Sequence, residues 1–190
     1  MSGKKYDLIV CGGSLAGLSA AVRAKELGVE HVLVLEKMKF LGGCAKLAGG
    51  IYAVDSPAQQ RLGLHYVPDD CFKGHMDINN WDCDVKLVGR WQHRTGDSIR
   101  WLEEKGCVFS KVLNFSGEKR FYHMTDKPTG NTIIKTMIDE CERLGVEILL
   151  ETPAKHLIMD GGRAVGVCAE HDGEKLEFYG GNVLIATGSI

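Results

Sequence analysis

The first forty residues combine short apolar runs with a helical pattern of small residues. Residues 6–11 are an apolar run that ends at glycine, which is typical of a strand buried on both faces. Residues 15–27 place leucine, alanine and valine at helical spacing, and Gly28 suits the end of that helix. Residues 31–36 are a second apolar run. Together these segments predict a strand–helix–strand unit with parallel strands.

The middle of the chain is less regular. The spacing of its apolar residues predicts a helix over 83–105 that is interrupted at Thr95–Gly96. Short strands are predicted within 107–123, around a turn at 114–119. A second helix is predicted over 132–144, followed by a strand over 146–150. Thr129 or Asn131 is placed to cap the second helix, and Gly145 is placed to end it.

Towards the C-terminus the spacing of apolar residues changes from that of helices to that of strands. Asp-Gly pairs at 160–161 and 172–173 separate apolar runs, which is a strong hairpin signal. They predict an antiparallel meander with strands at 156–159, 163–169 and 174–179. Residues 183–188 then predict one further buried strand.

Composition narrows the class of protein. The 190 residues carry a net charge of −2, 44% apolar and 25% charged residues, as an ordinary globular domain does. A near-neutral chain gives no electrostatic reason to bind nucleic acid or an anionic membrane surface. No apolar run approaches the roughly 20 residues that span a bilayer. The N-terminus has no long apolar segment before a cleavage site, so no signal peptide is predicted.

The seven cysteines are odd in number and contain no Cys-x-x-Cys pair. Reduced thiols in a cytoplasmic protein are the simplest interpretation. No metal site is predicted, because the spacing of histidine and cysteine matches no common zinc motif.

A glycine-rich segment follows the first predicted strand and opens the first predicted helix. Gly12 suits the tight turn of a dinucleotide-binding motif, and Gly17 suits close helix–strand packing. Ser14 stands where the middle glycine is usual. The helix N-terminus would present N–H groups to a diphosphate. A glycine-rich turn without a ligand is the alternative for this segment taken alone.

Two further features extend that motif. Glu36 ends the second predicted strand, at the place where an acidic residue accepts hydrogen bonds from both ribose hydroxyls and repels a 2′-phosphate. Residues 41–51 contain two Gly-Gly pairs separated by small residues, which indicates backbone lying flat against a ligand. A plain NAD-binding domain has no need of this segment, whereas a flavin has a long edge of nitrogen and oxygen atoms that needs backbone partners.

The order of the motifs along the chain resembles the N-terminal half of the fumarate reductase/succinate dehydrogenase flavoprotein family, the FAD-dependent oxidoreductase 2 class. The segments that carry the resemblance are Gly12–Gly17, Glu36-Lys37, Gly42-Gly43, Ala48–Gly50, Thr95–Asp97 with Trp101-Leu102, Thr129-Gly130 and Ala186–Gly188. The resemblance implies an α/β fold: a Rossmann-like three-layer FAD/NAD(P)-binding domain of the glutathione-reductase type, with a parallel sheet, helices on one side and the antiparallel β-meander on the other.

The resemblance also implies which residues contact FAD. They are Gly12, Gly13, Ser14, Leu15, Ala16 and Gly17 at the diphosphate, Glu36 at the ribose with Lys37 beside it, Gly42, Gly43, Cys44, Ala45, Ala48, Gly49, Gly50 and Ile51 along the ribityl chain and isoalloxazine, Ala154 at adenine, and Ala186, Thr187 and Gly188 over the cofactor. His123 lies where family members often carry basic residues on the substrate side, and a surface-hairpin histidine is the alternative.

The chain departs from the family at two places. Membrane-bound members bind FAD covalently through a histidine near the segment that corresponds to Gly42–Cys44, and no histidine occurs there, so FAD is expected to be non-covalent. Family members also continue past the Ala-Thr-Gly strand with a capping domain and a second FAD segment. The resemblance therefore implies that residues 1–190 are one incomplete FAD-binding domain, and it leaves the catalytic residues unidentified.

The expected function of the complete enzyme is hydride transfer through flavin N5 to or from an activated C=C bond of a small unsaturated acid. Two alternatives stay open. One is a non-catalytic FAD-binding module or fragment that needs a partner chain. The other is an NAD-binding Rossmann domain. Whether the 190 residues are an enzyme by themselves is left open, as are the electron donor and the oligomeric state.

Overall fold

The computed structural model describes residues 5–114 and 121–188. Within them the strands are β1 (Lys5–Cys11), β2 (Val32–Leu35), β3 (Ile51–Tyr52), β4 (Lys111–Asn114), β5 (Phe121–Met124), β6 (Glu147–Leu149), β7 (Ala154–Asp160), β8 (Arg163–His171) and β9 (Glu174–Ile185). The helices are α1 (Leu15–Glu26), α2 (Pro57–Arg61), α3 (Pro68–Ile78), α4 (Val85–Gln92), α5 (Thr95–Glu104) and α6 (Thr129–Arg143). The chain divides into two compact units: residues 1–46 with 137–190, and residues 47–136.

The first unit is built on a six-stranded sheet in the order β6-β2-β1-β9-β8-β7. Strands β6, β2 and β1 run parallel, and β1 also pairs in parallel with the second half of β9. Strands β7, β8 and the first half of β9 form the antiparallel meander. The α/β fold with a parallel sheet and a meander is confirmed, and β9 joins the two parts by hydrogen bonding to both.

Strand β9 corrects one prediction. The expected third meander strand and the expected final strand are a single strand of 12 residues. Tyr179 marks the change of partner, because it pairs with Gly166 of β8 and with Lys5 of β1. The expectation that the last strand is buried is also wrong, since Leu184 is 37% exposed and Ile185 is 63% exposed. A run of apolar residues does not by itself say which neighbours cover it.

The core of the first unit lies beneath β1 and β2. Tyr6, Ile9, Leu33 and Leu35 pack with Val167 of the meander, and each is at most 5% exposed. Burying a large apolar side chain contributes about 1.5–3 kcal/mol. Continuous apolar strands therefore determine where this sheet forms, as the hydrophobic pattern predicts.

Glycines end the elements where the sequence predicts. Gly28 has φ +88° and follows α1, and its N–H donates to the Lys25 carbonyl. The meander turns place Asp172 and Gly173 at positive φ, as a two-residue hairpin turn requires. The turn between β4 and β5 is expected at 114–119; Asn114 ends β4, and residues 115–119 lie outside the described residues.

The second unit holds α2 to α5 and a three-stranded sheet in the order β3-β5-β4. The helix expected over 83–105 with an interruption at Thr95–Gly96 is two helices, α4 and α5, and the break lies at 93–94, just before the expected place. Position 96 in the first turn of α5 requires glycine, because an added Cβ there would collide with the carbonyl oxygens of Val54 and Asp55. The start of α5 therefore abuts the segment that follows β3.

Helix α6 begins at Thr129, three residues before the predicted start, and runs for 15 residues. Gly145 follows it at φ +68°, as predicted. Over residues 5–114 and 121–188, no helix is both long and apolar enough to cross a membrane.

Candidate functional site

Glu36 lies at the carboxyl end of β2 and is nearly buried, at 8% exposure. Its Oε2 accepts a hydrogen bond from the Gly13 N–H at 2.7 Å, and its Oε1 accepts one from the Met38 N–H at 2.8 Å. A carboxylate has about four acceptor positions, so each oxygen can accept one more bond. The side chain is thereby held in one orientation with capacity left for two hydroxyl groups.

The backbone of Glu36 is anchored as firmly as its side chain. Its N–H donates to the Leu149 carbonyl at 2.9 Å, and its carbonyl accepts from the Thr152 N–H at 2.8 Å. Leu149 is the last residue of β6, and Thr152 lies three residues beyond it. The position of the carboxylate is therefore set by the parallel pairing of β2 with β6.

The turn between β1 and α1 requires both of its spaced glycines. Gly12 has φ +112°, and an added Cβ would collide with the Ala186 carbonyl oxygen. At Gly17 an added Cβ would collide with the Gly12 carbonyl oxygen and lie 3.1 Å from the Val10 side chain. The predicted close packing of helix on strand is confirmed. The close approach of the Ala186 carbonyl oxygen to Gly12 places Ala186 directly against this turn.

The N-terminus of α1 is left without an acidic or capping side chain. Ser14 is the N-cap residue but makes no side-chain cap bond, and no acidic residue occurs in the first turn. The first N–H groups of a helix, here those of Leu15, Ala16 and Gly17, have no partner within the helix. Together with the helix dipole they offer a favourable environment for an anionic group.

A cleft brings together five of the predicted residues of the first unit, namely Gly12, Glu36, Lys37, Ala154 and Thr187. It is lined by Gly12, Leu35, Glu36, Lys37, Pro153, Ala154 and Thr187. The cleft lies beyond the carboxyl ends of β1, β2 and β9. It also lies where the sheet order reverses, because β2 pairs on one side of β1 and β9 on the other. Open α/β sheets bind ligands at such a switch point.

The first Gly-Gly pair lies against the glycine turn. The Gly42 N–H donates to the Gly13 carbonyl at 2.8 Å, and Gly42 bridges to Ser14. Gly42 and Gly43 have φ +110° and +50°, a backbone that favours glycine. The two residues that follow enter a 3₁₀ turn, in which Cys44 is exposed and Ala45 is half-buried. Gly188 is exposed beyond β9.

The second Gly-Gly pair belongs to the second unit. An added Cβ at Gly50 would lie 3.2 Å from the His123 carbonyl oxygen, so Gly50 packs on β5. At Gly49 an added Cβ would meet no chain atom within 4 Å. The chain's own packing gives no reason for glycine at 49. An open backbone face of this kind fits a flat ring that lies against it.

Helix N-termini hold the segment that contains this pair. Thr129 Oγ1 donates to the Gly49 carbonyl at 3.0 Å, and the Gly130 N–H donates to the Ala48 carbonyl at 2.9 Å. Thr95 Oγ1 accepts a bond from the Val54 N–H at 3.0 Å. The sequence predicted Thr129 only as a possible helix cap and Thr95–Gly96 only as a helix interruption, and it predicted no contact of either with this segment. The signal in the sequence was that a Thr-Gly pair occurs both at 95–96 and at 129–130.

The structure corrects both predictions for His123. The side chain is fully buried, so it faces neither a surface hairpin nor an open substrate side. Its Nε2 lies 2.5 Å from Oγ of Ser56, which is also fully buried and caps α2. Burial lowers the pKa of His123 to about 4, so the imidazole is neutral near pH 7. Arg120, three residues before His123 in the sequence, lies outside the described residues.

Two curated relatives align with nearly the whole of this chain. The chain is 27% identical to a vinyl phenol reductase of Lactiplantibacillus plantarum, over 96% of this chain and 38% of that protein. It is 27% identical to an NADH:fumarate oxidoreductase of Klebsiella pneumoniae, over 98% of this chain and 21% of that protein. The chain thus spans well under half the length of these curated relatives.

A solved structure shows the same fold. The open conformation of a flavocytochrome c3 fumarate reductase superposes with a TM-score of 0.92 at 23% identity, over 98% of this chain and 34% of that chain. The sequence model of the FAD binding domain matches residues 7–190. With Glu36, the glycine turn and the cleft arranged as described, the chain belongs to the FAD binding domain family and resembles the flavoproteins of fumarate reductases.

Proposed function

We propose that this chain binds FAD without a covalent bond and holds its adenosine and diphosphate in the cleft of the first unit. The observation that carries the proposal is the nearly buried Glu36 carboxylate, fixed by two backbone N–H groups at the rim of that cleft. The ribose hydroxyls donate to Glu36, adenine lies by the backbone of Ala154, and the diphosphate lies at the N-terminus of α1.

The remaining predicted contacts follow the same scheme. Gly12 to Gly17 face the diphosphate, and Lys37 lies beside the ribose. Gly42 to Ala45 and Ala48 to Ile51 line the ribityl chain and isoalloxazine, as the family resemblance implies. Ala186 to Gly188 lie over the cofactor. The open backbone face at Gly49 supports this assignment for the second Gly-Gly pair, because a glycine without neighbours leaves room for a ring.

The absence of a histidine supports non-covalent binding. No histidine occurs between His31 and His65, a stretch that includes all residues assigned to the ribityl chain and isoalloxazine. The exposed Cys44 belongs to that stretch as well, and we assign it a packing role. Flavin should therefore leave the protein when the protein is denatured.

The chemistry of the whole protein is reduction of an activated C=C bond, or its reverse, in a small unsaturated acid. The relatives named above act on fumarate, which is an unsaturated acid, and on vinyl phenol, which is not a carboxylic acid; both compounds carry a conjugated C=C bond. Bound FAD supplies hydride transfer at N5. Glu36, Gly12 and the N-terminus of α1 bind and orient the cofactor. No residue of this chain is assigned as the proton donor.

Residues 1–190 are proposed to form one FAD-binding domain. Leu184 and Ile185 at the end of β9 are exposed apolar residues, which favours cover by a further segment or by a partner chain. None of the seven cysteines, all of which lie within the described residues, forms a disulfide, which favours a reducing cytoplasmic location.

The test is reconstitution of the 190-residue chain with FAD, followed by gel filtration and acid precipitation. Flavin absorbance should co-elute with the protein and then appear in the acid supernatant. A chain that stays colourless with FAD but binds NAD would refute the proposal. Flavin that remains in the acid pellet would refute non-covalent binding. Reduction of fumarate and related enoates with a reduced dye, measured on longer forms of the protein, tests the C=C chemistry.

A further inference from the structure

The N-terminus of α6 contacts two successive carbonyl groups of the second Gly-Gly segment. The Gly130 N–H donates to the Ala48 carbonyl at 2.9 Å, and Thr129 Oγ1 donates to the Gly49 carbonyl at 3.0 Å. All four residues belong to the second unit. Two neighbouring peptide planes are therefore held by the same two residues of one helix.

Because the peptide bond is planar, these two contacts also determine the direction of the N–H groups of Gly49 and Gly50. In a planar trans peptide the carbonyl and the following N–H point in opposite directions. The Ala48 carbonyl points to α6, so the Gly49 N–H points away from α6. The Gly49 carbonyl also points to α6, so the Gly50 N–H points away as well. Two successive N–H donors thus face away from the helix.

The direction of the Thr129 hydroxyl is determined by its partners. Its oxygen accepts a bond from the Thr125 N–H at 3.2 Å, and its single hydrogen is donated to the Gly49 carbonyl. The side chain is nearly fully buried, at 1% exposure, so water does not compete for these bonds. The Thr129 side of this contact therefore lies in the protein interior.

A second observation shows that this segment is accessible to a ligand from one side. Gly49 has no chain atom near the place that a Cβ would take, so its backbone is open on that side. Neighbouring Gly50, by contrast, packs against β5. Backbone donors beside an open glycine face suit a planar group with acceptor atoms along its edge.

We propose that Thr129 is a positioning residue that orients the Gly49 and Gly50 N–H groups toward the acceptor edge of the isoalloxazine. This inference rests on the proposed function, because it assumes that the bound ligand is FAD. Thr129 does not touch the flavin itself. It acts through the Gly49 carbonyl, and Gly130 supports it through the Ala48 carbonyl.

The experiment compares Thr129→Val, which keeps the shape and removes the hydroxyl, with Thr129→Ser, which keeps the hydroxyl. Thr132→Val is the matched control, because the Thr132 hydroxyl bonds Pro128 and Thr125 and not the glycine segment. Each variant is titrated with FAD and with ADP. ADP carries the adenosine and diphosphate but no isoalloxazine, so it reports on the first unit alone.

Thr129→Val should weaken FAD binding by about tenfold and leave ADP binding unchanged. Its bound flavin should also show a shifted visible spectrum, because backbone donors at the ring edge tune that spectrum. Thr129→Ser and Thr132→Val should bind FAD as the wild type does. If Thr129→Val does not fold, Thr129→Ala is used instead. Thr129→Ala is expected to show the same loss of FAD affinity.

Two results would overturn the inference while leaving the proposed function intact. One is a folded Thr129→Val chain whose FAD affinity and spectrum equal those of the wild type. The other is equal weakening of FAD and ADP, which would indicate a general loss of structure. A wild-type chain that binds ADP but not FAD would overturn the proposed function and this inference together.

Discussion

Acidification should destabilise this protein through His123, whose imidazole is fully buried against Ser56. Burial lowers the pKa of His123 to about 4 in the folded chain, whereas an unfolded histidine titrates near 6.5. Between these two values the unfolded chain binds the additional proton. Stability is therefore complete above about pH 6.5 and falls as the pH decreases towards 4.

The magnitude follows from the size of the pKa shift. A shift of one unit corresponds to about 1.4 kcal/mol, so the shift of His123 corresponds to about 3 kcal/mol in the free energy of unfolding. Domains are stabilised by only about 5–15 kcal/mol in total. Loss of this contribution is therefore a large fraction of the total and is easily measured.

The assay is urea denaturation at several pH values from 7.5 to 4, followed by circular dichroism, for the wild type and His123→Gln. Glutamine keeps a polar side chain near Ser56 but does not titrate. The difference in unfolding free energy between the two proteins cancels most of the contribution of other groups. Relative to His123→Gln, the wild type should lose about 3 kcal/mol between pH 6.5 and 4.

The control is His65→Gln, which replaces an exposed histidine and retains the buried imidazole. That variant should lose stability in acid as the wild type does. Parallel pH profiles for the wild type and His123→Gln would refute the reasoning, because they would show that His123 takes up its proton equally in both states.

Two predictions concern the cofactor. Glu36→Ala should weaken FAD binding by roughly tenfold to a hundredfold, because a hydrogen bond to a charged group is worth about 1.5–3 kcal/mol. Glu30→Ala, at an exposed position, is the control. An unchanged dissociation constant of Glu36→Ala for FAD would mean that Glu36 serves only the fold. Gly49→Ala should leave the denaturation midpoint unchanged and weaken flavin binding about tenfold or more, since its added Cβ meets no chain atom but would enter the ring's space. Gly89→Ala, which has only an ordinary contact with Phe72, is the control, and Gly49→Ala with normal flavin affinity would contradict the assignment of this segment.

The local parts of the fold were predictable from the sequence because they depend on neighbours in the chain. The β1–α1–β2 unit follows from apolar spacing, and Gly12 and Gly17 follow from a turn that tolerates no side chain. The hairpin at 172–173 follows from its Asp-Gly pair, because these residues tolerate the positive φ angles that the turn has. Glu36 is predictable for the same reason, since it is the residue at which an apolar strand ends.

What the sequence left open depends on residues far apart along the chain. That β9 is one strand is decided by Tyr179, whose partners in β1 and β8 lie elsewhere in sequence. His123 is hidden because β5 presents it to Ser56, and Thr129 acquires its partner from Gly49, 80 residues away. Local preferences select an element, but only the packing of distant segments determines which side chains are buried and which carbonyl groups receive a donor.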